Sequence, residues 1–105
     1  MWIRSAFWVG APKTGEEQWF RDAVNLELGP GLRILPGVSG AKVLWPRRLE
    51  DQPPQVACQI LVEFESLAEV DRMLGSAERR ALRERVMLIA ARFDGAISHI
   101  DYEVA

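Results

Sequence analysis

Between Gln55 and Glu65 the sequence alternates, with Val56, Cys58, Ile60, Val62 and Phe64 apolar and Gln59, Glu63 and Glu65 polar. A period of two belongs to a strand with two unlike faces. One face of this stretch is apolar enough to carry helices. The other, Gln59, Leu61 and Glu63, is too polar for an ordinary core and too apolar for a purely wet surface, so it predicts a face that something covers.

The remaining segments can be placed around that strand. Trp2 to Val9 is again two-faced, with Ile3, Ser5, Phe7 and Val9 on one side and Trp2, Arg4, Ala6 and Trp8 on the other. It predicts a first strand, broken at Gly10-Ala11-Pro12. Thr14 with Glu17 fits a capping box, and Trp19, Phe20, Ala23 and Val24 follow at helical spacing, so a helix is expected to run to a stop at Gly29-Pro30-Gly31. Leu32 to Pro36 is a connector, Val38 to Trp45 a second strand closed by Pro46, and Arg47 to Pro54 an exposed loop. Ser66 and Glu69 repeat the capping box ahead of a helix burying Leu67, Val70, Met73 and Leu74. Gly75-Ser76 interrupts it, and Leu82, Val86, Ile89, Ala90 and Phe93 continue a helical stripe. Asp94-Gly95 reads as a turn and Ala96 to Val104 as the last strand.

The order strand, helix, strand, strand, helix, strand is the split βαβ arrangement. With right-handed crossovers it gives an α+β, ferredoxin-like fold, a four-stranded antiparallel sheet with both helices on one face and strands one and three central. At 105 residues the chain has the length of one domain, 1–105. A formal net charge of -2 argues against a phosphate-binding surface, so neither nucleic acid nor an anionic membrane is an expected partner. Cys58 is the sole cysteine, which excludes an intrachain disulfide and makes a reducing cytoplasm the default location. The opening residues lack the basic region and long apolar run of a secretory signal or membrane span. With one histidine and one cysteine, no multi-histidine or Cys-based metal site can form within the chain, haem ligation has no supporting motif, and no cofactor is expected.

Function is expected on the sheet face that the helices leave open. By alternation that face should carry Arg4, Trp8, Lys42, Gln59, Leu61, Glu63, Ile97, His99 and Asp101, the candidate ligand-binding and catalytic set. A one-residue shift would exchange Ala41, Val43 and Trp45 with Gly40, Lys42 and Leu44. Leu61-Val62-Glu63-Phe64 superficially resembles the third strand of an RNA-recognition module, but Gln59 and Leu61 stand where that module needs aromatic side chains, and no basic residue followed by glycine precedes them. His99 is the candidate general acid or base, with Asp101 or Glu63 setting its charge state and Arg4 or Lys42 holding an anionic oxygen of a substrate. A nearby carboxylate is expected to raise the imidazole pKa. A lone histidine on a terminal strand is more often a polar group satisfied at an interface, and that reading stands beside the catalytic one. Cys58, on the helix side, reads as a small core residue rather than a nucleophile. Trp19 is expected in the core and Trp8 at a ligand or dimer contact, while Arg79, Arg80, Arg83, Arg85 and Arg92, interleaved with Glu78 and Glu84, read as a solvated helix face.

Arg4 to Trp8, the break at Gly10 to Pro12, Glu16-Glu17 with Trp19-Phe20, and Gly29-Pro30 followed by Leu35-Pro36-Gly37-Val38 together resemble the EthD family of the dimeric α+β barrel superfamily. The resemblance implies a homodimer with two sheets face to face, enclosing a cavity between them for a small aromatic or polyketide-like compound, either transformed or only bound as part of a catabolic pathway. Many members carry a histidine just before the Gly-Pro or Ala-Pro that ends helix one, where this sequence has Leu28. The resemblance therefore implies fold and dimer more than a shared histidine-dependent activity.

Overall fold

The computed structural model describes all 105 residues. Strands β1 (Trp2–Pro12), β2 (Gly40–Leu44), β3 (Val56–Phe64) and β4 (Phe93–Glu103) form one antiparallel sheet in the order β2-β3-β1-β4. The helical segments are α1 (Glu17–Ala23), a π-helical stretch at Val24–Leu28, α2 (Gly29–Arg33), α3 (Leu67–Leu74) and α4 (Ala77–Ala90). β1 and β3 are central, as their apolar runs predict.

β3 also behaves as its alternation predicts, since Cys58, Ile60, Val62 and Phe64 are all buried beneath the helices. Residues directly opposite one another in a ladder point to the same face. Because Trp2, Arg4, Ala6 and Trp8 stand opposite Phe64, Val62, Ile60 and Cys58, these four β1 residues face the helices. Ile97, His99 and Asp101 of β4 lie opposite Trp8, Ala6 and Arg4 and share that side. The expected open face is thereby divided. Lys42, Gln59, Leu61 and Glu63 do lie on it, joined by Ile3, Ser5 and Phe7, whereas Arg4, Trp8, Ile97, His99 and Asp101 lie on the opposite one. Alternation in β1 could not choose between the faces because both carry large apolar groups and each has one polar residue inside. The lone charge, Arg4, suggested solvent, but its side chain runs under the helix layer.

At one end of the core Trp8, only 1% exposed, meets Phe20 and Phe93 edge-on at ring-centroid distances of 5.2 and 5.1 Å. Phe93 opens β4 instead of closing the helical stripe, and Asp94-Gly95 is ladder rather than turn. Gly95 pairs with Gly10 where the strands cross closely, both at positive φ (149° and 124°), and a Cβ at Gly95 would strike the Val9 carbonyl oxygen. This pair carries β1 past the expected break, to Pro12.

Gly29-Pro30-Gly31 does not stop the first helix. Proline lacks an N–H, and in a regular helix its ring would press on the carbonyl four residues back; here one wide π turn precedes it, with the Gly29 N–H donating to the Val24 carbonyl five residues back. Gly29 also lets the helix lie close on β2, since a Cβ there would be 3.0 Å from Cγ2 of Val43. The Thr14 capping box does not form, and α1 starts after Glu16 without a side-chain cap. Ser66 does cap α3, its Oγ accepting from the Glu69 amide at 3.4 Å, and Ser76 caps α4 in the same way from the Arg79 amide at 3.1 Å. Leu67 is exposed rather than buried because the first residue of α3 lies off its inner stripe of Val70 and Met73.

Candidate functional site

Between the sheet and its helices, with α4 packed on the β4 side, a cavity of about 70 Å³ remains. On a scale where one water takes roughly 10–15 Å³, this is room for a few waters or the end of a small molecule. The sheet contributes Arg4, Ala6 and Trp8 from β1, Ile60 and Val62 from β3, and Ile97 and His99 from β4. Leu28 comes from the π turn, Leu32 and Leu35 from α2 and the residues after it, Met73 from α3, and Arg79, Leu82, Arg83 and Val86 from α4. Ala6 is the origin of the space. It stands between Ile60 and His99 at the middle of a central strand, where a larger side chain would fill the gap beneath the helices.

The cavity is apolar except at one end, where His99 meets three guanidinium groups. Nη1 of Arg4 donates to both carboxylate oxygens of Asp101 at 3.0 Å, with the two side chains 17% and 34% exposed. Asp101 is thus committed to Arg4, and no hydrogen bond joins it to His99. His99 lies on the edge strand with part of its ring open to water; desolvation of the covered part, followed by the charges of Arg4, Arg83 and Arg79, holds the imidazole below the usual histidine range, outweighing the opposing pull of Asp101. The expectation of a raised pKa is corrected accordingly: desolvation of the ring, with three cations nearby, outweighs one carboxylate already paired with Arg4. Burial, then Arg83 and Arg4, likewise lowers the Arg79 pKa. At neutral pH the ring is therefore uncharged, able to accept a proton, and set beside positive charge.

Glu63 cannot serve His99, because it lies on the open face and pairs with Lys42 at 3.4 Å. Lys42 is for the same reason remote from the cavity. Gln59 donates to Ser5 Oγ at 2.7 Å, also on the open face, beside Leu61. Of the candidate residues, the structure brings together Arg4, Trp8, Ile97, His99 and Asp101, and separates them from Lys42, Gln59, Leu61 and Glu63. Cys58 is buried, its thiol pushed up to about 12 by burial, as expected of a core residue. Trp19 is only part-buried, with the guanidinium of Arg92 4.0 Å from its ring centroid. No group of three His, Cys, Asp or Glu side chains is placed to hold a metal ion.

The helix side of the site was not foreseen. Arg79, Leu82, Arg83 and Val86 recur at the three-and-four spacing of one helix face, so the two arginines were available to be read as neighbours of the apolar stripe instead of as a solvated face. Leu28 lines the cavity from the end of the π turn, and no local pattern announces that turn.

No protein-family model and no curated protein matches the sequence. Solved structures do. An EthD family protein from Bacillus halodurans C-125 superposes with a TM-score of 0.80 at 14% identity, covering 100% of this chain and 99% of that one. The fold is the ferredoxin-like one. A dimeric ferredoxin-like protein of unknown function from Jannaschia sp. CCS1 shares it with a TM-score of 0.66 at 18% identity, covering 99% and 100% of the two chains. So does a protein from Nitrosomonas europaea assigned as an antibiotic biosynthesis monooxygenase, with a TM-score of 0.65 at 13% identity over 99% and 98%. The ferredoxin-like chain has no helix long and apolar enough to cross a membrane.

Proposed function

We propose that this EthD-like chain binds a small aromatic or polyketide-like molecule between its sheet and α4, and that His99 is the proton acceptor when the molecule is transformed. The observation that carries this reading is the apolar cavity ending in a neutral histidine surrounded by arginines. A neutral imidazole can take a proton from an acidic C–H or O–H, and neighbouring guanidinium groups favour the negative charge left behind. The assignment of structural neighbours to antibiotic biosynthesis supports a small organic substrate. The ligand position differs from the inter-sheet site that the sequence suggests, because His99 and Arg4 face the helices.

A non-catalytic binding module is the second reading, favoured by the lack of any hydrogen-bonded group orienting the His99 ring. A thermal-shift screen of small aromatic compounds and lactones, with turnover assays on each hit, tests both. Loss of about a hundredfold in turnover on His99→Gln, with fold intact, is the usual magnitude for a general acid or base; binding without turnover assigns the module. If no such compound shifts the melting temperature, the cavity reading fails.

The open face of the sheet is proposed to pack on a second copy of the chain. Leu44, Ile100 and Tyr102 are 40%, 42% and 46% exposed there, alongside the part-buried Ile3, Phe7 and Leu61, an apolar face of the kind that marks an interaction surface. Trp8 and Ile97 do not contribute, being on the other side. The dimeric state of structural neighbours supports the pairing. Sedimentation should give a dimer at micromolar concentration and a monomer for Leu61→Glu. A monomeric parent would overturn it.

A further inference from the structure

The arginines of this chain are not equally engaged. Arg4, Arg72, Arg85 and Arg92 each pair with a carboxylate. Arg21 lies over the Trp45 ring, and Arg33 and Arg80 donate to backbone carbonyls. Arg47 and Arg48, exposed on the β2–β3 loop, and Arg79 and Arg83 do none of these, and of these four only Arg79 and Arg83 line the cavity. They stand one turn apart on α4, so their side chains reach the same rim. Asp101 is the carboxylate that acts on His99, and Arg4 already holds it. The cavity end therefore gathers three guanidinium groups against one carboxylate, with the neutral His99 between them.

We infer that the molecule taken by this cavity is a carboxylic acid with a compact apolar body, its carboxylate held by Arg79 and Arg83 at the rim and its body against Ala6, Ile60, Leu82 and Val86. This inference rests on the small-molecule reading above and adds the charge and shape of the ligand. Guanidinium groups match a carboxylate in geometry as well as charge. A cationic ligand would be repelled by the same groups, and a neutral one would gain no charge pairing from them. The volume of about 70 Å³ limits the enclosed body to about one ring or a short branched chain, with the charged group outside it. Arg79 and Arg83 take the anion-holding role that the sequence reading gave to Arg4 or Lys42, of which Lys42 faces the other way.

The test compares benzoate and phenylacetate with their neutral counterparts, benzyl alcohol and 2-phenylethanol, by calorimetry and by proton NMR. His99 is the chain's only histidine, so its ring C2–H gives a single resonance that reports occupancy of the cavity. The acids should bind at least tenfold more tightly than the alcohols and move the His99 signal. In Arg79→Gln/Arg83→Gln the acids should lose tenfold or more in affinity and the alcohols should be unchanged, which also shows that the cavity is intact. Arg47→Gln/Arg48→Gln, on the exposed β2–β3 loop, removes the same two charges, makes the control for net charge and should leave acid binding unchanged. Acetate, which has the charge without the body, should bind at least tenfold more weakly than benzoate. Equal binding of acids and alcohols, or acid binding indifferent to the double substitution, would overturn this inference and leave the cavity reading standing. If none of the four aromatic probes moves the His99 signal at millimolar concentration, both fail.

Discussion

Enlarging Ala6 is the most direct test of the cavity. Ala6 sits at the middle of β1 with its side chain beneath α4, opposite Ile60 on one side and His99 on the other. Leucine adds three carbon atoms at the place where the wall recedes. Unfilled cavity volume destabilises by about 24 cal/mol per Å³, so filling all of the 70 Å³ would recover at most about 1.7 kcal/mol. The rim at His99 and Arg83 is open to water, which lowers the gain to roughly 1 kcal/mol, because wet volume carries less of the penalty. For a chain of this size that corresponds to a rise of about 4–8 °C in melting temperature. Urea denaturation at one fixed protein concentration, with thermal scans alongside, measures it without interference from dimer mass action. The same substitution should abolish binding of both the aromatic acids and the aromatic alcohols, which separates it from the arginine substitutions that affect only the acids. A variant that folds cooperatively, loses more than about 1 kcal/mol to overpacking, and still binds the neutral probes would show that the space beneath Ala6 is not where a ligand goes.

Two further outcomes follow from the titrating groups. The His99 pKa is lowered from 6.5 by burial and by Arg4, Arg83 and Arg79, so on acidification the unfolded chain takes up the proton first; stability should be full above about pH 6.5 and fall as the pH drops through the lowered folded value. Denaturation midpoints between pH 5 and 8 should show that slope in the parent and lack it in His99→Gln, while Asp101→Asn should depress the NMR titration of His99 further by removing the one group that raises it. Cys58, with its thiol at about 12 and no solvent exposure, should react with a disulfide reagent at pH 8 only on unfolding, so labelling at the rate of an exposed thiol in the native protein would refute its placement in the core.

The alternation of Val56 to Phe64, the two βαβ halves, the capping box at Ser66 and the interruption at Gly75-Ser76 were enough to establish the element order, the central pair of strands and the side on which β3 carries its helices. Each of these depends on local periodicity or on hydrogen bonds between near neighbours in the chain, which is why the sequence alone determined them. The faces of β1 and β4 were not determined in this way. Both sides of β1 are large and apolar, so only its ladder with β3 decides that Trp8 and Arg4 turn toward the helices, and β4 inherits its orientation from β1. That choice moved His99 and Asp101 away from Glu63 and Lys42 and placed the ring beside Arg79 and Arg83, from a helix 16 to 20 residues earlier in the chain. The charge state of His99 changed with it, from the expected raised pKa to a lowered one. The continuation of the first helix through Pro30 by a π turn, which brings Leu28 into the cavity wall, likewise depends on how closely Gly29 can approach Val43. Pairing and packing across the sheet are contacts between distant parts of the chain, and no local pattern encodes them; the tertiary structure alone decided which residues share the site.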